Sequence, residues 1–195
     1  MENRIDWTKE PDQVELRRAY DLRATDSTQA LVALKALADR GSMMSMMYIA
    51  EIYRNGKETS VDLDEAQKWL RRAIQNGSVP ASYELGRMLF EFKNYPQSKE
   101  AFEIGETHNF APSINMLGTM YLNGIGVEKN LTRARELLER ASSLGHVFAK
   151  RNLAGLLVRG ADGPHGFFRG VRLFLVAIKD TLVVVCSSPF SDRLR

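Results

Sequence analysis

The chain has 195 residues, with 27 basic and 24 acidic side chains and a formal net charge of +3. This charge is too small and too evenly mixed for a protein that clamps phosphates with a dense basic face, so we expect no nucleic acid among its partners. The single cysteine, Cys186, excludes an internal disulfide and favours a reducing compartment. The charged first residues lack the apolar core of a signal peptide, and together these features predict a cytoplasmic protein.

Four similar apolar stretches recur along the chain. They are "IAEIYRNG" from Ile49, "LGRMLFEF" from Leu85, "LGTMYLNG" from Leu117 and "LAGLLVRG" from Leu153. The second residue of each stretch is small, and the spacings between these small residues are 36, 32 and 36 positions. A second series of small residues follows about sixteen positions later: Ala66, Ala101, Ala134 and Gly170. This periodicity predicts a repeat of two helices, in which small residues let the helices approach closely.

The predicted helices follow one another in pairs. A less regular pair comes first, within residues 11–24 and 27–41. The first helices of the clear units are predicted near residues 42–54, 78–93, 111–123 and 146–159, and the second helices near 63–75, 97–108, 131–143 and 166–179. About ten helices predict an all-α fold, a right-handed α/α superhelical solenoid of about five helix pairs. We divide the chain into an N-terminal capping helix region (1–25), the repeat array (26–180) and an apolar C-terminal tail (181–195).

Two local patterns mark the connections between these helices. Gly124 and Gly126 lie between the two helices of a unit; because no Gly-Lys-Ser/Thr follows and no strand precedes them, they predict a turn and not a phosphate loop. Asp62, followed three residues later by Glu65, predicts a capping box at a helix start.

The best-defined unit is "APSINMLGTMYLNGIGVEKNLTRARELLERASSLG", residues 111–145. With its small-residue positions and Gly-x-Gly-Val turn, it resembles the Sel-one-like repeat, a short α/α relative of the tetratricopeptide repeat. The resemblance covers roughly residues 26–180, and the unit at 78–109 departs from it by lacking the Gly-x-Gly turn. It implies a non-enzymatic adaptor or regulator that assembles protein complexes, often in signalling or at membranes.

The resemblance also implies where a partner binds. In the tetratricopeptide relatives, the residues at −3, +1 and +4 from the small residue line a concave groove, and this spacing follows one helical stripe. Because arginine pairs with carboxylates and aromatic or methionine side chains give adaptable contact, we expect a protein or peptide partner with some acidic character. The alternative is that the side chains at these groove positions are ordinary solvated side chains. The candidate groove residues are Met47, Glu51, Arg54, Tyr83, Arg87, Phe90, Asn115, Thr119, Leu122 and Arg151.

Methionines are dense in "SMMSMMYIAEIY", residues 42–53. Some of them fill the core, and a soft partner-binding surface at Met44 and Met47 is the alternative.

No constellation of catalytic or metal-ligating residues emerges. His108, His146 and His165 are not at ligand spacing from one another and do not cluster with Cys186. The sequence therefore predicts no enzyme, no metal and no cofactor.

The segment "GFFRGVRLFLVAIKDTLVVVCSSPF", residues 166–190, is unusually apolar for the end of a repeat array. Charges at Arg169, Arg172, Lys179 and Asp180 argue against a membrane-spanning helix. Three roles stay open: the segment folds back as the last helix, forms a homodimer surface, or makes a peripheral membrane contact through its arginines. A membrane-associated or dimeric repeat protein is thus the alternative function.

Overall fold

The computed structural model describes residues 10–56, 60–161 and 163–187. Within these ranges the chain forms ten α-helices and one π-helical turn, Leu157–Ala161, and no β-strand. This confirms the all-α prediction. The helices are α1 (Gln13–Leu22), α2 (Ser27–Asp39), α3 (Met43–Asn55), α4 (Leu63–Gln75), α5 (Val79–Glu91), α6 (Tyr95–Thr107), α7 (Ala111–Asn123), α8 (Leu131–Ser143), α9 (Val147–Leu156) and α10 (Gly163–Ser187).

Consecutive helices pack against each other, α1 on α2, α3 on α4, α7 on α8 and α9 on α10. The predicted bounds 63–75, 111–123 and 131–143 are confirmed to the residue. The largest difference concerns α10, which was predicted over 166–179 but spans 25 residues. No proline or glycine lies between Gly170 and Ser187, so nothing in the sequence ends the helix at position 180. The three-part division of the chain stays a prediction.

The predicted capping box at α4 is only half formed. The Asp62 side chain accepts a hydrogen bond from the Glu65 backbone N–H at 2.9 Å. The second hydrogen bond of a capping box, from the Asp62 N–H to the Glu65 side chain, is replaced. The Asp62 N–H donates to the Tyr53 carbonyl at 2.9 Å. The Glu65 carboxylate instead accepts from Lys68 Nζ at 2.6 Å.

The glycines at 124 and 126 form the turn that ends α7. Both have φ of +69°, in the left-handed region that favours glycine. The N–H of Gly124 donates to the Met120 carbonyl and so satisfies an open helix end. The prediction of an interhelix turn is confirmed.

The chain divides into two compact units, residues 1–104 and 105–195. The core of the first unit gathers alanine, leucine, isoleucine and methionine side chains of α1 to α5, including Leu34, Ile49 and Met88. In the second unit the fully buried side chains include Ile114, Leu117 and Leu138. Met44 and Met46 are buried, so the suggested soft surface at Met44 is wrong, whereas Met47 is half-buried.

Small residues set the distance between paired helices, as the periodicity predicts. A Cβ atom added to Gly86 of α5 would lie 2.5 Å from the ring of Phe102 on α6. A Cβ atom at Gly118 of α7 would lie 2.9 Å from Cγ of Leu138 on α8. These positions hold glycine because the neighbouring side chain occupies the space that a methyl group needs.

Candidate partner-binding surface

In the first unit, the predicted groove residues lie on α3 and α5. Glu51 is exposed, and the other five are half-buried. A depression of about 310 Å³ lies between these two helices. We call it the α3–α5 depression; it is lined by Met47, Tyr48, Ala50, Glu51, Arg54, Leu70, Glu84, Arg87 and Met88. The structure therefore brings four of the predicted residues, Met47, Glu51, Arg54 and Arg87, to one concave site.

The two aromatic residues predicted for α5 are placed differently. The ring of Tyr83 lies 6.0 Å from that of Phe102, and the ring of Phe90 lies 5.3 Å from that of Tyr95. Both partners belong to α6, so these side chains pack within their own helix pair. Burial raises the pKa of Tyr83, and the charge of Glu84 adds to this. A role for Tyr83 and Phe90 in binding stays a prediction.

The arginines of the α3–α5 depression differ in their partners. Arg87 Nη2 lies 2.8 Å from a Glu84 carboxylate oxygen, and Arg87 Nη1 lies 3.7 Å from Glu91. Burial by itself lowers the pKa of Arg87, but the hydrogen bond and charge of Glu84 outweigh it, so the pKa is raised. Arg54 is half-buried and forms no ion pair with any residue in the described ranges.

Glu51 connects this depression to a second one of about 300 Å³, lined by Tyr20, Asp21, Arg23, Ala24, Glu51, Ile52 and Asn55. Arg23 forms an ion pair with Glu51, and its guanidinium lies 3.8 Å from the ring centre of Tyr20 and 4.8 Å from that of Tyr48. Burial, followed by the proximity of Tyr20, raises the pKa of Tyr48. Glu51 thus has an ion-pair partner within the chain, and among the described residues that line the α3–α5 depression Arg54 is the charged side chain without one.

Sequence reasoning missed Tyr48, Glu84, Tyr20 and Arg23. Tyr48 and Glu84 occupy the −2 position, which lies one residue from the predicted −3 position and so borders the same helical stripe. Counting the −2 position as well as the −3 position would have identified both residues. Tyr20 and Arg23 belong to the irregular first pair, where they stand at +1 and +4 from the small residue Ala19, so the same count applied to this pair would have identified them.

In the second unit, two of the four predicted residues, Asn115 and Thr119, hold helices together. Asn152 of α9 donates from Nδ2 to Asn115 Oδ1 at 3.1 Å and to Thr119 Oγ1 at 3.3 Å. The Thr119 hydroxyl donates to the Asn115 carbonyl at 2.9 Å. Asn115 is buried, so this network joins α7 to α9 and leaves little polar capacity for a partner.

Two further predicted residues of the second unit are more accessible. Arg151 is exposed, and its guanidinium lies 5.2 Å from the ring centre of Phe148. Leu122 is half-buried on α7. These side chains stay candidates for partner contact.

The described part of the chain holds no group of three or more His, Cys, Asp and Glu side chains that could bind a metal ion. The imidazole of His146 accepts the backbone N–H of Ala149 through Nδ1 at 3.2 Å, at the start of α9, and burial lowers its pKa. None of the described helices is both long and apolar enough to cross a membrane.

Comparison with known proteins places this geometry in a wider context. Two F-box proteins of Arabidopsis thaliana are 31% and 30% identical to the chain over 118 and 132 residues, which are 58% and 66% of it. The chain spans about a third (35%) of the length of these curated relatives.

Two solved structures share the fold. One is a protective antigen of uropathogenic Escherichia coli that displays the SLR fold, with a TM-score of 0.71 and 20% identity; the match covers 86% of this chain and 38% of that one. The other is a Sel1 repeat protein from Oxalobacter formigenes, with a TM-score of 0.69 and 18% identity, covering 89% of this chain and 75% of that one. The Sel1 repeat model matches residues 44–78 and 111–146. Two stretches of the chain thus match the Sel1 repeat, and its fold is the helical repeat fold of these solved structures.

Proposed function

We propose that the chain is a non-enzymatic interaction protein that binds an acidic segment of a partner protein in the α3–α5 depression. Helical repeat arrays bind partners along extended surfaces built from successive repeats. The Sel1 repeat fold is in general one that mediates protein–protein interaction, which agrees with this proposal. The acidic character of the partner, the adaptor role and the cytoplasmic location are parts of the same proposal.

The observation that carries the proposal is the state of the charges in the α3–α5 depression. Arg87 and Arg23 are matched by Glu84 and Glu51 within the chain, whereas Arg54 is half-buried without a described ion-pair partner. A guanidinium that is partly removed from water gains more from a carboxylate than an exposed one does. The apolar atoms of Met47, Leu70 and Met88 in the same depression would contact the stem of the incoming side chain.

The experiment is a comparison of two single charge reversals, Arg54→Glu and Arg71→Glu. Arg71 lies exposed on α4 and lines none of the depressions described above, so it controls for the change in net charge. Proteins recovered by quantitative affinity purification from the native host are compared for the unchanged chain and both variants, after circular dichroism has shown equal helicity. We expect a partner that is retained by Arg71→Glu and lost by Arg54→Glu.

The recovered partner then allows a direct measurement. Its acidic segment is synthesised as a peptide, and we expect isothermal titration calorimetry to show binding at least about tenfold weaker for Arg54→Glu, since a charge-assisted hydrogen bond is lost and a repulsion is added. A Glu→Arg or Asp→Arg change in the peptide should restore binding to the variant. Recovery of the same proteins by all three forms of the chain would show that the α3–α5 depression is not the binding site.

A further inference from the structure

The last described helix, α10, has two dissimilar faces. Gly166, Gly170 and Ala177 are buried and face α9 and the π-helical turn, where a Cβ atom at Gly170 would lie 2.9 Å from Val158. The side next to it exposes six large apolar side chains, and a seventh, Val176, is exposed apart from them; the six are Phe167, Phe168, Val171, Phe174, Leu175 and Ile178. Exposed apolar residues in such a contiguous group usually mark a contact surface.

The positions that correspond to part of this face in other units are buried by the next helix. Phe174 lies four residues after the small residue Gly170, and the positions that correspond to it after Ala134 and Ala66 are Leu138 of α8 and Leu70 of α4. Those two leucines are 0% and 4% exposed, and both α4 and α8 pack against the first helix of the next pair. Phe174 is 45% exposed, and within the described residues no helix follows α10 to cover it.

The exposed face of α10 is wider than one following helix would cover. Phe168 and Leu175 are 72% and 62% exposed, and their counterparts in α8 are the polar residues Thr132 and Glu139. Glu139 receives Arg169 of α10 at 3.0 Å. Leu175 stands at the corresponding place in α10 and cannot accept an arginine from a further repeat of this kind. A flat apolar phase would cover all six residues, whereas another Sel1 repeat would leave Phe168 and Leu175 in water.

The charge of this part of the chain gives the chemistry of the partner. Residues 147–187 contain six basic side chains (Lys150, Arg151, Arg159, Arg169, Arg172 and Lys179) and two acidic ones (Asp162 and Asp180). Arg172 and Lys179 are exposed, and they lie four residues after Phe168 and Leu175, so each borders the apolar face. Neither forms an ion pair with a described residue. A second copy of the chain would oppose this positive charge with an equal one, which disfavours self-association through α10.

We propose that the exposed face of α10 binds the surface of an anionic lipid bilayer. In this arrangement the six apolar side chains enter the boundary between headgroups and acyl chains, and Arg172 and Lys179 contact lipid phosphates. The helix lies in the plane of the interface, and the rest of its pair provides the polar face that such helices turn to water. This contact is separate from the α3–α5 depression and does not depend on it.

The test is flotation of the full chain with vesicles of phosphatidylcholine alone and of phosphatidylcholine with about 30 mol % phosphatidylserine. We expect binding to the anionic vesicles that weakens as salt is raised. The variant Phe168→Glu/Leu175→Glu should bind at least about tenfold more weakly, because it loses apolar contact and gains repulsion from the lipid. Charged or polar residues already stand at these positions in α8 (Thr132 and Glu139) and in α4 (Asp64 and Arg71), so the fold should be retained.

A matched control separates this effect from a general change of charge. Val14 and Val32 are 67% and 69% exposed on α1 and α2, and Val14→Glu/Val32→Glu makes the same chemical change elsewhere. This control should bind like the unchanged chain. The variant Arg172→Gln/Lys179→Gln should weaken binding to anionic vesicles by about fivefold per residue and leave neutral vesicles unaffected.

Three results would overturn the proposal. The first is absence of flotation with anionic vesicles, and the second is an equal loss of binding in the Val14→Glu/Val32→Glu control. The third is a dimer, measured by light scattering coupled to size-exclusion chromatography, that becomes monomeric in Phe168→Glu/Leu175→Glu while no form of the chain binds vesicles. That third result would assign α10 to a second copy.

Discussion

At the scale of single residues, the hydroxyl of Ser113 is the clearest local defect. It is fully buried in α7, and within the described part of the chain it has no hydrogen-bond partner. The corresponding positions in α5 and α9 are Ala81 and Ala149, both 0% exposed. The fold therefore accepts alanine here, and the serine oxygen gives up its contact with water without compensation.

We expect Ser113→Ala to raise the free energy of unfolding by about 1 kcal/mol, because it removes an unsatisfied buried polar group. Urea denaturation followed by circular dichroism would measure this. The control is Ser98→Ala, since the buried Ser98 hydroxyl donates to the Gly86 carbonyl at 2.7 Å. That variant should lose about 1 kcal/mol, because a buried hydrogen bond to the Gly86 carbonyl is removed. Destabilisation by Ser113→Ala would mean that its hydroxyl is satisfied after all.

Some residue-level features could be read from the sequence and others could not. The pairing of Arg87 follows from the spacing of Glu84 and Glu91, three residues before it and four after it on one helix. The pairing of Arg23 with Glu51 joins positions 28 residues apart, which no local pattern encodes. Because the free or paired state of each arginine depends on such contacts, the sequence could propose the groove residues but could not single out Arg54.

At the scale of helices, the sequence predicted those elements whose ends carry a chemical signal. The start of α4 has its Asp62 cap, and α7 ends at Gly124. The extent of α10 was missed because its apolar run contains nothing that ends a helix. The inward packing of Phe90 was also missed. It results from a short connection, in which α5 ends at Glu91 and α6 begins at Tyr95, so that the two aromatic rings meet.

Two glycines within helices allow a prediction in which the same change to alanine shifts the free energy of unfolding in opposite directions. In Gly86→Ala the new Cβ would lie 2.5 Å from the buried ring of Phe102, whereas in Gly155→Ala of α9 it would meet no atom within 4 Å. We expect Gly86→Ala to lower the free energy of unfolding by about 1–3 kcal/mol through overpacking. Gly155→Ala should raise it by about 0.5–1 kcal/mol, because alanine restricts the unfolded chain and favours the helix. Thermal unfolding would measure both, and a shift of the same sign would contradict the close-packing account of Gly86.

At the scale of the whole molecule, contacts between elements join helices that are close in sequence, such as α2 with α3 and α8 with α9. In such an array each pair is stabilised by its own core and by its immediate neighbours. The division at residues 104 and 105 gives each unit a separate set of buried side chains. Local stability should then vary along the chain, because opening of one unit need not require opening of the other.

We therefore expect core cavities to act locally. Leu34 of α2 and Leu138 of α8 are each 0% exposed, and truncation of either to alanine should cost about 2–5 kcal/mol. In hydrogen–deuterium exchange measured by mass spectrometry, Leu34→Ala should lower protection mainly within residues 10–104, and Leu138→Ala mainly within residues 105–187. Each variant serves as the control for the other, since both remove the same atoms from an equally buried site. If either variant lowered protection equally in both units, the array would unfold as one cooperative body, and the two units would have no separate stability.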